Sequence, residues 1–222
     1  MNILDQGANA VRQSAVSFKT EGLNFEGVIA QPDAQGGPWP GVVICHPHPL
    51  HGGSMENNVV LALALGLVEE GFVTMRFNFR GVGRSEGEHS QGDKEFQEIL
   101  GALDLIKAWP DVRGKIGLAG YSFGSGVILN HSELYKEVNA LALVSPSLRA
   151  VADSPLKQNK IHSLIVAGDR DKLVDSGELE AELKTFGQPP ESQIFEGVDH
   201  FWYGQEDRLV PEVSRFFIEQ LK

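Results

Sequence analysis

Between Ser14 and Lys19, and again between Leu23 and Gln31, apolar and polar residues alternate in two short runs separated by Glu21-Gly22. That pattern predicts two strands joined by a tight turn. A Gly- and Pro-rich loop runs from Pro32 to Pro40, and Gly41 to Cys45 is then apolar and β-branched, the mark of a strand buried on both faces. Asn58 to Glu70 shifts to helical spacing and stops at Gly71; Phe72 to Phe79 returns to a strand. Asp93 is an N-cap candidate for a helix with Phe96, Ile99, Leu100, Leu103 and Ile106 on its inner face, closed by Trp109-Pro110. Ile116 to Ala119 reads as a strand and Phe123 to His131 as a helix. Val138 to Val144 and Ile161 to Ala167 read as buried strands. Asp175 and Glu178 make a capping-box pattern ahead of Leu179 to Phe186. Ser192 to Glu196 gives a last strand and Val210 to Leu221 a closing helix.

Strands alternating with helices predict an α/β fold: an eight-stranded, mostly parallel sheet with helices on both faces and an antiparallel hairpin at one edge. No repeat, low-complexity tract or linker interrupts residues 1–222, so a single domain is expected, with 1–13 a poorly ordered N-terminal segment. In such sheets the active site lies beyond the carboxyl ends of the strands. Each candidate residue is therefore judged by whether it follows a strand.

Composition narrows the partners more than the fold. The chain has 41% hydrophobic and 22% charged residues, ordinary for a soluble globular domain. A formal charge of −11 argues against nucleic acid and against an anionic membrane, both of which need a positive footprint. Met1 to Gln13 lacks the basic start and apolar run of a signal peptide, and Val59 to Val68 is too short to span a bilayer. With Cys45 as its one cysteine, the chain suits a reducing compartment, and a cytoplasmic location is expected.

The chemistry sits between the predicted strand at Ile116 and the predicted helix at Phe123. Gly120-Tyr121-Ser122-Phe123-Gly124 matches G-x-S-x-G, a sharp strand-to-helix turn that exposes a serine and tolerates only small neighbours. The helix N-terminus behind it aims backbone N–H groups at developing negative charge. A serine hydroxyl needs a base, and His200, in Gly197-Val198-Asp199-His200-Phe201 just past the last strand, is the best placed of the seven histidines. The base needs a carboxylate. Gly168-Asp169-Arg170-Asp171 follows a strand end, and Asp171, deeper in the loop, is favoured, with Asp169 holding the loop through backbone hydrogen bonds. Whether Asp169 shares the acid role is left open.

His46-Pro47-His48-Pro49-Leu50-His51-Gly52-Gly53 follows the buried strand ending at Cys45. Loops there supply the second oxyanion donor in this architecture. Pro47 and Pro49 have no N–H, so the backbone N–H of His48 is the expected donor, paired with that of Phe123. His46 is read as a loop-organising side chain and Cys45 as a small buried apolar residue. The rival reading makes His46, His48 and His51 metal ligands, but their spacing around two prolines is no recognised zinc pattern.

These residues resemble the α/β-hydrolase superfamily over nearly the whole chain after the first dozen positions, and within it a group of small, lidless bacterial serine hydrolases. The resemblance rests on His46-Pro47-His48-Pro49, Gly52-Gly53, Met55, Asn57, Arg76-Phe77-Asn78-Phe79-Arg80-Gly81-Val82-Gly83-Arg84-Ser85, the Ser122 motif, Gly168 with Asp171, and Asp199-His200-Phe201. It implies catalytic Ser122, Asp171 and His200. The chain departs from many members at Asn78, where they carry an acid, and that position is read as structural. The resemblance also places lids after the strand ending near Ser145, and Pro146 to Lys160 is too short for a helical cap. An open site lined by Leu50, Phe123, Met55 and Trp202 is expected, the alternative being that Trp202 and Phe201 pack the final loop.

The expected function is hydrolysis of a small ester-like substrate through an acyl-enzyme, with no cofactor and no metal. The alternatives are a catalytically silent binding module on the same fold, and an acyl transferase or peptidase using the same three residues. Nothing in the pattern fixes the acyl length or an oligomeric state.

Overall fold

The computed structural model describes residues 11–33 and 36–222. Eight strands form one sheet: β1 (Val11–Thr20), β2 (Leu23–Pro32), β3 (Trp39–Cys45), β4 (Val73–Phe77), β5 (Val112–Tyr121), β6 (Ala140–Val144), β7 (His162–Gly168) and β8 (Glu191–Phe195). Their order is β1-β2-β4-β3-β5-β6-β7-β8. β1, β2 and β4 pair antiparallel, and every other neighbouring pair is parallel. This is the fold expected from the alternation.

The central strands are apolar on both sides because both sides are covered. In β3, Val42 and Ile44 pack with Val59, Leu63 and Leu67 of α1 (Asn58–Glu69) and with Val213, Phe216 and Phe217 of α6 (Glu206–Leu221). Val43 and Cys45, pointing the opposite way, pack with Ile99, Leu103 and Ile106 of α2 (Phe96–Ala108). That second core also takes in α3 (Phe123–Asn130), α4 (Leu148–Ala152) and α5 (Ser176–Leu183). A period of two with both faces buried is what a sandwiched parallel sheet requires.

Several boundaries move. Val11–Gln13, expected to be poorly ordered, belong to β1, which pairs residue for residue with β2 from Val11↔Pro32 to Thr20↔Leu23. Residues 1–10 of that segment lie outside the described residues. The hairpin closes through Glu21 and Gly22, both at positive φ (49° and 84°), the turn whose twist matches the strands. Asn78 and Phe79, expected at the end of a strand, have left the sheet: the N–H of Asn78 bonds to Glu26 O and that of Phe79 to His46 Nε2. Phe79 is fully buried by packing rather than by strand pairing. Asp93 does not cap α2. The chain before the helix curls into a turn, and Glu95 stands at the cap, its carboxylate folding back onto Ser90 N–H, Ser90 O–H and Gly92 N–H. Asp175 does cap α5, accepting from Glu178 N–H at 2.9 Å, and the helix begins at Ser176. The stretch after β6 holds only α4 and one 3₁₀ turn, Pro155–Gln158. No helix is long and apolar enough to cross a membrane among the described residues.

Candidate active site

Three loops at the carboxyl edge of the sheet converge. β5 turns directly into α3 through Ser122, whose φ of 52° and ψ of −108° lie outside the comfortable range for a side-chain-bearing residue. The strain persists because the elbow is closely packed. A Cβ on Gly120 would stand 2.6 Å from Ser125 N, and one on Gly124 would stand 2.6 Å from the carbonyl oxygen of Cys45. The second glycine thus lets α3 press against the end of β3, which brings the serine beside the His46–Gly53 loop.

The β7 and β8 loops meet by a similar device. A Cβ on Gly168 would fall 2.0 Å from Val198 O, so only glycine lets the two chains run together there. Arg170 N–H also bonds to Val198 O, and Asp169 Oδ1 accepts from Gly197 N–H at 2.7 Å. The consequence is a continuous chain of side chains: Asp171 Oδ2 lies 2.7 Å from His200 Nδ1, and His200 Nε2 lies 2.9 Å from Ser122 Oγ. Asp171 and His200 are both buried. The other carboxylate oxygen of Asp171 accepts from the N–H groups of Leu173 and Val174, and the carbonyl of His200 accepts from the Tyr121 hydroxyl. An acceptor-only carboxylate at Nδ1 puts the imidazole proton there, leaving Nε2 to accept from the serine. Asp169 is spent on the loop backbone, and Asp171 alone of the two reaches the histidine.

The N–H of Phe123, first residue of α3, has no intrahelical acceptor by its position. The N–H of His48 makes no hydrogen bond among the described residues. Both residues line the cavity that contains Ser122, and their rings lie 5.0 Å apart. His48 Nδ1 accepts from Leu50 N–H and so caps the short 3₁₀ turn Pro49–His51.

Behind this loop lies a buried polar layer. His46 is fully buried, with Nε2 accepting from Phe79 N–H at 3.0 Å and Nδ1 2.6 Å from Pro47 O, to which it must donate. Burial lowers its pKa to about 4, so the ring is neutral. Both nitrogens are engaged, which makes His46 an organiser of the loop rather than a ligand. Arg80 and Glu98, both buried, pair beside it, Arg80 Nε donating to Glu98 Oε1 at 2.7 Å. Burial pushes the Glu98 carboxyl up to about 7. Burial, with Glu98 nearby, also raises the Cys45 thiol well above its usual range, which leaves it an inert packing group. Asn78 holds Met55 N–H and Glu26, the structural role expected of it. His89, in the loop that precedes α2, packs its ring against Phe123 and His48, with Nδ1 3.0 Å from Glu95.

The cavity beside Ser122 has a volume of about 270 Å³. Its floor is Phe123, Val127, Ala150 and Val174, and its rim carries Gln91, Asn130 and Ser147. Of the residues expected to line the pocket, only Phe123 does. Trp202 sits at a φ of 60° that swings its indole inward; it is fully buried, with Nε1 donating to Ser145 Oγ at 3.0 Å. Met55 is held on the β4 side by Asn78 and by Arg76, which donates to its carbonyl. Leu50 points into solvent from the 3₁₀ turn, 66% exposed. The wall residues that went unpredicted carried a partial signal. Val127 is one helical turn past Phe123, and Val174 lies three residues past Asp171. Ala150 rests on α4, which the sequence pattern did not reveal.

Residues 42–163 match the family model described as Serine aminopeptidase, S33. An α/β serine hydrolase homologue from Coxiella burnetii is 33% identical, with a TM-score of 0.81 over 91% of this chain and 96% of that one. A lidless α/β serine hydrolase from Xanthomonas campestris is 27% identical, with a TM-score of 0.82 over 94% of each chain. An esterase from Pyrococcus furiosus shares the fold at 19% identity and a TM-score of 0.77, over 95% of this chain and 94% of that one.

Proposed function

The chain belongs to the serine aminopeptidase (S33) family of α/β-hydrolases, and on that footing we propose that it is a serine carboxylesterase acting on small substrates through Ser122, His200 and Asp171. The observation that carries this reading is the His200 ring, bonded at one nitrogen to a buried carboxylate and at the other to a strained, half-buried serine.

The reaction follows from those contacts. Ser122 Oγ attacks the ester carbonyl carbon while its proton passes to His200 Nε2, and Asp171 steadies the resulting imidazolium. The backbone N–H groups of His48 and Phe123 receive the oxyanion. As the tetrahedral species collapses, the carbonyl carbon–oxygen bond to the alcohol breaks and His200 returns its proton to the departing oxygen. His200 then takes a proton from water, whose oxygen attacks the acyl-enzyme; the acid leaves and Ser122 regains its proton.

Esters are favoured over peptides with a free amino terminus because no carboxylate lines the cavity to hold an ammonium group, among the described residues. A space of about 270 Å³ suits a short acyl group.

The test is turnover of p-nitrophenyl acetate and butyrate by purified protein beside Ser122→Ala, with labelling by a fluorophosphonate read by mass spectrometry. Expected are a loss of at least about 10⁴-fold in the variant and label on Ser122 alone. Undiminished activity in the variant, or no activity in either protein, overturns the reading.

A further inference from the structure

Among the described residues, five large apolar side chains stand exposed: Leu50, Leu65, Leu173, Phe201 and Tyr203. Scattered exposed hydrophobics need no explanation. These are not scattered: all but Leu65 lie in the loops that carry the site. Phe201 and Tyr203 make an organised pair, with ring planes 13° apart and centroids separated by 6.2 Å. Phe201 also stands edge-on to the His200 ring, at 5.8 Å and 89°.

The pair is held by its neighbours. Trp202, between the two, is buried and bonded to Ser145, so the residues on either side of it face outward. Phe201 N–H bonds to Asp199 Oδ1, and its carbonyl accepts from Asn58 Nδ2, which also donates to Glu206. Neither ring lines the cavity, whose walls include His200. The imidazole therefore has the acyl cavity on one side and the stacked Phe201–Tyr203 pair on another.

Resting on the esterase reading, we propose that Phe201 and Tyr203 form the alcohol subsite and select esters of planar aromatic alcohols that carry no negative charge. His200 must deliver its proton to the departing oxygen, so the alcohol leaves along this ring, next to Phe201. Two nearly parallel exposed rings favour a planar partner by offset stacking. Asp199 and Glu206 beside the platform, with the chain's charge of −11, disfavour anionic alcohols.

The test compares benzyl acetate with cyclohexylmethyl acetate, each corrected for its hydroxide-catalysed rate, in the intact chain and in Phe201→Ala, Tyr203→Ala and the double variant. Both esters give the same acetyl-enzyme, so a difference in kcat/KM reports the alcohol side alone. The expected result is a preference of about 2- to 10-fold for the benzyl ester that falls to near unity in the double variant. The ratio of p-nitrophenyl acetate to butyrate turnover should not move. Equal rates in the intact chain, a preference surviving the double substitution, or faster turnover of acetylcholine than of benzyl acetate would each overturn the subsite. Absence of all ester turnover would instead sink the esterase reading beneath it.

Discussion

His46 and His200 occupy similar ground and do different work. Each lies past the carboxyl end of a strand, each is buried, and each has both ring nitrogens engaged. The difference is in the partners. His46 faces a backbone carbonyl and a backbone N–H, and an amide keeps its proton under all ordinary conditions. His200 faces a carboxylate, which stabilises positive charge on the ring, and a hydroxyl, which gives up its proton once its oxygen begins to bond to carbon. Burial without a charged partner drives His46 down to about 4 and makes it a fixed acceptor. What a buried histidine can do is thus set by what its two nitrogens touch, more than by its depth.

The largest effect is expected where that partner is changed at His200. Asp171→Asn keeps the size of the side chain and an oxygen for Leu173 and Val174, but its amide can favour the wrong imidazole tautomer. A loss in kcat of about 10⁴-fold with little change in melting temperature is expected, measured on p-nitrophenyl acetate. An Asn variant with near-normal kcat would show that the carboxylate contact does not matter to the chemistry. Next comes Arg80→Met, which strands Glu98 in the layer behind the loop. The expected cost is about 3–5 kcal/mol in urea melts. It should be larger at pH 8.5 than at pH 5, because protonation relieves an unpaired buried carboxylate. An equal cost at both pH values would remove Glu98 as the cause.

The acid side of the stability curve tests His46 itself. The ring is held near 4 in the folded chain against 6.5 when free, so between those values the unfolded chain binds the extra proton. Its contribution is full above about pH 6.5 and is lost as pH falls through about 4, up to about 3 kcal/mol. His46→Gln should lower stability at pH 7.5 by about 1–3 kcal/mol, through the Phe79 N–H, and flatten the acid limb. An acid limb of unchanged slope would assign the proton elsewhere.

How much of this was legible follows physical lines. Every strand and the larger helices announced themselves because period and burial agree: Val42 to Cys45 must be apolar on both faces to sit between α1 and α2. Ser122, Asp171 and His200 were readable because each follows a strand and each chemistry admits few residue types. The pocket was not. Trp202 read equally well as a lining residue or as packing for the last loop, and its left-handed backbone, which turns it inward, decides for packing. Val127, Ala150 and Val174 are ordinary aliphatics whose meaning comes from the elements that bring them together, one of them a five-residue helix with no periodic signal. Glu95 was hidden for a similar reason: its turn toward Ser90 and Gly92 is a tertiary choice that displaced the better-looking cap at Asp93.

The smallest expected effect separates the two aspartates of one loop. Asp169 and Asp171 are two residues apart, yet Asp169 is exposed and spends its carboxylate on Gly197 N–H, while Asp171 is buried against His200. Losing a charge-assisted bond at an exposed site costs about 1 kcal/mol. Asp169→Ala should therefore lower the melting temperature by about 2–4 °C and leave kcat within about threefold. If Asp169 shared the acid role, its removal would instead lower kcat by two orders of magnitude or more and alter the pH profile of turnover. Purified single variants at both positions, assayed on one ester across pH 5 to 9, would tell a carboxylate that holds a loop from one that holds a base.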